Sequence, residues 1–209
     1  MSHIVLLGDS IFDNGVYVPG EPDVVKQLRA ELPAGWTATL CALDGAVTRG
    51  VAGQLTRLPA NATHFVISVG GNDALGHSHL LGSGVRLVAE AIALLAEAQE
   101  QFARDYAEML RSVLALELPT AVCTIYDTPS TAPNQRIIRS ALALFNDVIT
   151  RAAFSEGLPL VDLRLICSED EDYANPIEPS AKGGAKIAAA IAHLITGEED
   201  GSQSVVIAR

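Results

Sequence analysis

Cysteine, aromatic residues and positive charge are all scarce in this chain. Its 209 residues include 3 Cys, 1 Trp and 14 Lys or Arg, against 25 Asp or Glu. Cys41, Cys123 and Cys167 form an odd, widely spaced set that suits neither a disulfide framework nor a zinc site. Cys41 and Cys123 lie in apolar runs, as packing cysteines do. A net charge of −11 argues against nucleic acid or an anionic membrane as the main partner, because both attract clustered Lys and Arg. No stretch is uniformly apolar for the roughly 20 residues of a membrane span. The opening "MSHIVLLGDS" lacks the basic segment and cleavage site of a signal peptide. These absences lead to the expectation of a cytoplasmic protein with no membrane span.

What is present is an ample supply of apolar residues, 49% of the chain, enough for one substantial core. A single domain is expected over residues 1–197, followed by a C-terminal tail, 198–209, that is polar and then briefly apolar. Five short runs rich in Val, Ile or Leu are strand candidates: His3–Gly8, Thr37–Ala42, His64–Val69, Thr120–Tyr126 and Leu158–Leu163. They are nearly continuous in apolar character, as strands covered on both faces are. Helical patterns separate them. Val24, Leu28 and Leu32 recur every four residues until Pro33. Ile138, Leu142, Phe145 and Ile149 form a second stripe ended by Gly157, and Ile187, Ile191, Leu194 and Ile195 a third ended by Gly197. The stretch from Val85 to Leu116 is helical in composition, as one helix or two. Alternating strands and helices predict an α/β fold with a central, mostly parallel five-stranded sheet. Ligands of such sheets bind where loops gather at the carboxyl ends of the strands.

Three loops at that edge hold the residues suited to chemistry: "GDSIFDNG", "LDGAVTRG" and "GGNDALGHSH". Acyl transfer needs a nucleophile and hydrogen-bond donors aimed at a developing oxyanion. Ser10 can supply the hydroxyl, and the N–H groups of Ser10 and Gly45 with the Asn72 amide can supply donors. Each residue also has a plainer reading. Ser10 can cap a helix or turn, Gly45 can serve a turn, and Asn72-Asp73 can form a turn or cap pair. Asp13 and Asp73 are read as organisers of turns around the site, and Asp162 as a loop cap. It is the joint placement on consecutive strand ends that favours chemistry.

In their order and spacing, "GDS" with "DNG", the glycine of "DGAVT", and "GGND" resemble the first three blocks of the SGNH (GDSL-type) hydrolases. The β/α pattern extends the resemblance over nearly the whole chain. It implies a three-layer α/β/α sandwich of the flavodoxin-like kind and cleavage of carboxylic esters, with no metal or cofactor. The substrate implied is a small-molecule ester, such as a small acyl ester or an acetylated carbohydrate. The resemblance carries Ser10 across as nucleophile, and Gly45 and Asn72 as oxyanion donors.

The last block departs from the family pattern. Where Asp-x-x-His followed by Pro and a small polar residue is expected, the chain has "NPIEPSAKGGAKIA", placing Glu178 at the histidine and Asn175 at the aspartate. Glutamate's ordinary pKa lies about two units below that of imidazole, a deficit of about 3 kcal/mol in proton-transfer driving force. Burial or neighbouring acids could recover part of it, and Glu169, Asp170, Glu171 and Asp172 are close in sequence. The expectation is a Glu178 facing Ser10, with the Asn175 amide donating to its carboxylate and holding it weakly basic. His77 and His79 are the other candidate bases, whereas His3, His64 and His193 fall at the wrong places. The competing function is a non-catalytic protein of the same fold, binding a carbonyl-bearing or carbohydrate ligand.

Overall fold

The computed structural model describes residues 2–197; the expected tail at 198–209 lies outside the described residues. Strand β1 (Ser2–Gly8) is interior, with β2 (Trp36–Leu40) on one side and β3 (His64–Ser68), β4 (Thr120–Cys123) and β5 (Leu160–Val161) on the other. The order is β2-β1-β3-β4-β5, and every pair in this sheet is parallel. Chain direction across the sheet reverses at β1, so the crevice between the carboxyl ends of β1 and β3 is the natural ligand position.

The unbroken apolar run of β1 serves two layers. Ile4 and Leu6 pack with Val24 and Leu28 of α1 (Val24–Glu31) and with Ile187 and Ile191 of α7 (Ala181–Thr196). Val5 and Leu7 point the other way, into a cluster with Phe102 and Tyr106 of α4 (Val88–Leu114) and Ile149 of α5 (Gln135–Glu156). Alternate residues of one strand thus face opposite helix layers, which is why the strand carries no polar face. The α/β/α sandwich expected from the sequence is the observed fold.

Short elements fill the connections: α2 (Val51–Gln54), α3 (Gly71–Gly76) and α6 (Leu163–Ile166), with 3₁₀ turns at Thr48–Gly50, Leu55–Arg57, Ser78–Gly82 and Asp170–Asp172. An antiparallel ribbon of β6 (Tyr173–Asn175) and β7 (Glu178–Pro179) leads into α7. The stretch from Val85 to Leu116 resolves into one helix of 27 residues, about 40 Å long. Its first ten residues contain no buried side chain; burial starts at Ala98, so the N-terminal third rises above the sheet. Glu90 steadies that end, its carboxylate accepting from the N–H groups of Arg86 (2.8 Å) and Leu87 (3.2 Å). No helix among the described residues is long and apolar enough to cross a membrane.

Candidate active site

The end of β1 turns sharply against β3. Gly8 has φ +126°, and a Cβ there would lie 1.7 Å from the Ser68 carbonyl oxygen, so only glycine fits. Both Gly8 backbone groups are held by one buried side chain: Gln54 accepts from its N–H at 2.8 Å and donates to its carbonyl at 2.7 Å. The next peptide continues the clamp, the Asp9 N–H donating to the Ser68 carbonyl at 3.0 Å. The chain then coils through residues 9–13. Asp9 does the capping there, through its side chain to the Ile11 N–H and its carbonyl to the N–H groups of Phe12 and Asp13. Ser10 is therefore free of that duty. Its hydroxyl is buried and donates to Glu178 Oε1 at 3.1 Å.

Glu178 arrives from the far end of the chain, and main-chain contacts hold its position. The carbonyl of Pro179 accepts from the Asn14 amide at 3.2 Å, and the carbonyl of Ile177 accepts from the Tyr126 hydroxyl at 3.0 Å. Ser180 caps α7 by accepting from the Gly183 N–H, and its own N–H donates to the Asp172 carbonyl at 2.9 Å. Asn14 thus joins the first block of the site to the last. It also accepts from the Val24 N–H at the start of α1.

Asn175 corrects the expectation. Its side-chain oxygen accepts from the Ile177 N–H at 2.9 Å, a turn within the ribbon, and its amide makes no bond to Glu178. Asn175 and Glu178 are paired across the ribbon, and the turn to Ile177 fixes the Asn175 side chain within it. Glu178 Oε2 is left buried without a hydrogen bond. The consequence for acidity also reverses the expectation. Burial raises the Glu178 pKa to about 7; the Ser10 hydrogen bond opposes that rise and the Asp44 charge adds to it. Three of the four acids nearby in sequence are occupied elsewhere: Glu169 and Asp172 with Lys186, and Asp170 with Ser130. Asp9, also buried, is raised to about 8 by desolvation against the pull of the Ile11 N–H, with the charges of Glu178 and Asp73 adding. Near neutral pH the site is thus spared two full negative charges.

The remaining blocks are tied to one another. The Asn72 amide donates to the Ala46 carbonyl at 3.0 Å, leaving its second N–H for another acceptor. Asp73 accepts from both the N–H and the hydroxyl of Thr48, at 2.9 and 3.0 Å. Asp13 accepts from the Asp44 N–H at 2.9 Å. These acids organise turns, as expected. Gly45 sits exposed with φ +74° as third residue of a turn closed by Ala46 N–H to Leu43 carbonyl, so its turn role is real. Asp162 caps α6 and pairs with Arg164.

A cavity of about 300 Å³ opens beside Ser10. Asp9, Ser10, Asn72 and Glu178 line one end; Leu95, Ile125, Leu142 and Phe145 form apolar walls. His77 lines it too, its ring 6.2 Å from that of Phe145. His79 does not; its Nδ1 sits 3.1 Å from the Gly76 carbonyl. Gln54, Tyr126 and Asn146, which exchanges two hydrogen bonds with the backbone of Ile125, support this arrangement without any local motif to announce them.

Comparison with known proteins agrees with this geometry. The family model for GDSL-like lipases and acylhydrolases matches residues 6–186. Among solved structures, an extracellular lipase from Streptomyces rimosus superposes with a TM-score of 0.69 at 17% identity, covering 94% of this chain and 99% of that one. A lipase/acylhydrolase from Enterococcus faecalis gives 0.64 at 19% identity, over 98% and 100% of the two chains. The psychrotrophic esterase EstA from Pseudoalteromonas gives 0.63 at 18% identity, over 94% and 98%. Among curated proteins no sequence matches. At these identities the structural likeness is one of fold.

Proposed function

This chain belongs to the GDSL-like lipase/acylhydrolase family, and from that premise we propose that it cleaves a carboxylic ester through Ser10, with Glu178 as the base. The observation that carries the reading is the 3.1 Å hydrogen bond from the Ser10 hydroxyl to Glu178 Oε1. A base must lie within such reach of the proton it removes. A glutamate of ordinary acidity would be a poor one, but with its pKa near 7 Glu178 stands close to where imidazole stands.

The proposed steps are these. Glu178 takes the hydroxyl proton as Ser10 Oγ bonds to the ester carbonyl carbon, and the carbonyl π pair moves onto oxygen. The N–H of Ser10 and the free Asn72 N–H, both at the cavity, are assigned to that oxyanion, and the family resemblance adds the N–H of Gly45, which does not line the cavity. Collapse breaks the bond to the alkoxy group, which leaves as an alcohol with the proton from Glu178. Water, deprotonated by Glu178, then attacks the acyl-Ser10 ester, and collapse releases the acid as Ser10 Oγ takes the proton back from Glu178. The apolar cavity walls favour a small acyl ester over an acetylated carbohydrate, since sugar hydroxyls would find few partners there.

A second reading, ligand binding without turnover, is favoured by one observation: nothing orients Glu178 Oε2 as an aspartate would orient a histidine. Hydrolysis of short p-nitrophenyl esters, with fluorophosphonate labelling of Ser10, separates the two. Turnover and labelling lost in Ser10→Ala, with turnover also lost in Glu178→Gln, support the Ser10–Glu178 pair. Activity appearing only in Glu178→His favours binding without turnover, and a labelled Ser10 indifferent to Glu178→Gln transfers the base role to His77.

A further inference from the structure

Large apolar side chains left on the surface are unevenly placed. Of the thirteen that are exposed among the described residues, twelve lie in connections leaving the carboxyl ends of strands or in the turns around the cavity. Leu116 alone lies at the opposite edge, between α4 and β4. The densest group is on the raised tip of α4 and its approach: Val85, Leu87, Val88 and Ile92 are 41%, 63%, 77% and 60% exposed. All ten residues from 81 to 90 are exposed. Ile137 on the first turn of α5 adds to this group. A monomer's scattered surface leucines need no explanation, but a contiguous apolar face does.

We propose that this raised face docks on a lipid surface of zwitterionic headgroups. Two observations select that occupant. First, the exposed face is continuous with the cavity: Leu75, Leu81 and Ile177 are more than 40% exposed and also line the cavity. An acyl chain could pass from an apolar phase into the cavity without crossing water. Second, the face differs in charge from the rest of the protein. Residues 75–97 and 132–144 carry three arginines against two glutamates, and Arg139 pairs with Asp127 at the cavity, so this face is about neutral whereas the whole chain stands at −11. Strongly anionic headgroups would repel the acidic body. A zwitterionic surface avoids that repulsion, offers phosphates to Arg86 and Arg136, and lets the apolar residues supply the binding free energy. A second copy is a poorer occupant. A two-fold contact would bring the same arginines together and close both cavity mouths.

The use of this face to collect an ester substrate rests on the ester-cleaving reading; docking itself does not, and the test keeps them apart. The full chain and its Ser10→Ala variant are floated with phosphatidylcholine vesicles at low and high salt. Both are expected to float equally, with little loss at high salt. A Leu87→Asp, Ile92→Asp double variant is expected to lose about a hundredfold in partitioning, because both side chains leave the apolar contact. Leu116→Asp is expected to float as wild type does. Circular dichroism and Tm identical to wild type establish that the double variant is folded. Its rate on a soluble short-chain ester is expected to stay at the wild-type value. Failure of wild type to float, undiminished floating of the double variant, or preference for phosphatidylglycerol vesicles overturns the proposal. So does a dimer in solution that the same two substitutions dissociate. Floating without any esterase activity leaves docking standing and removes only the ester-cleaving reading.

Discussion

Replacing Glu178 by glutamine tests, through stability alone, whether an ionisable group is buried beside Ser10. In the folded protein the Glu178 carboxyl titrates at about 7, against 4.5 when unperturbed, with burial as the main cause. The folded state therefore holds this proton more tightly than the unfolded state. Folding takes up a proton between about pH 4.5 and 7, and stability falls as pH rises through that window. At about 1.4 kcal/mol per pKa unit the full effect is about 3 kcal/mol; we expect roughly 1–3 kcal/mol after relaxation around the site. Glutamine carries no titrating proton, so Glu178→Gln lacks this dependence. Unfolding by urea at pH 4, 6 and 8 gives the stability difference between the two proteins. The difference is expected to move by roughly 1–3 kcal/mol in favour of the variant between pH 4 and pH 8. Comparing across pH cancels the pH-independent cost of the amide itself; the lost Glu178 charge also eases the rise in Asp9, which moves the difference the same way. A difference that stays constant over this range, or moves the other way, refutes the burial of an ionisable Glu178 at this position.

Activity has its own pH signature: kcat/KM on a soluble ester is expected to rise through about pH 7 as Glu178 ionises. In Glu178→His the inflection should move down toward imidazole's ordinary value of about 6.5, as read from a pH–rate profile. Gly8→Ala forces a Cβ to within 1.7 Å of a backbone oxygen. It is expected to cost more than about 3 kcal/mol, seen as a collapse of the urea midpoint. Gln54→Leu removes the side-chain partner of the Gly8 N–H and leaves its carbonyl with the Leu43 N–H alone, and should cost about 1–3 kcal/mol. Because Gly8 lies two residues before Ser10, kcat should fall further than the loss of folded protein accounts for.

Much of the architecture was readable because apolar periodicity and chain stops are local signals. Gly157 and Gly197 end their helices with positive φ, as their positions after apolar stripes suggest. The strand ends were harder. The fourth run extends in sequence to Tyr126, yet the strand stops at Cys123, and the Asn146 side chain takes both backbone groups of Ile125. The fifth shrinks to Leu160–Val161 because Asp162 turns the chain into α6. In the site, the motifs located Ser10, Asn72 and Glu178 around one cavity. Asn175 was misread because its side chain closes a turn on the Ile177 N–H, and no pattern in one sequence tells that turn from a bond to Glu178 one residue further on. The direction of the Glu178 pKa was misjudged for a related reason. Burial is a property of everything packed around a residue, and here it outweighs the single hydrogen bond that opposes it.

The way Glu178 is held has a consequence for how such a site can change. Its neighbours are gripped through carbonyl oxygens, by Asn14 at Pro179 and by Tyr126 at Ile177, so these grips do not depend on which side chain position 178 bears. The fold thus provides a socket opposite Ser10, and the group plugged into it is exchangeable. With Glu178 as the proposed proton acceptor, one substitution would exchange that group without rebuilding the loop that presents it. Tolerance of this kind separates the inheritance of a reaction's geometry from the inheritance of its pH range, and leaves the second open to adjustment while the first stays put.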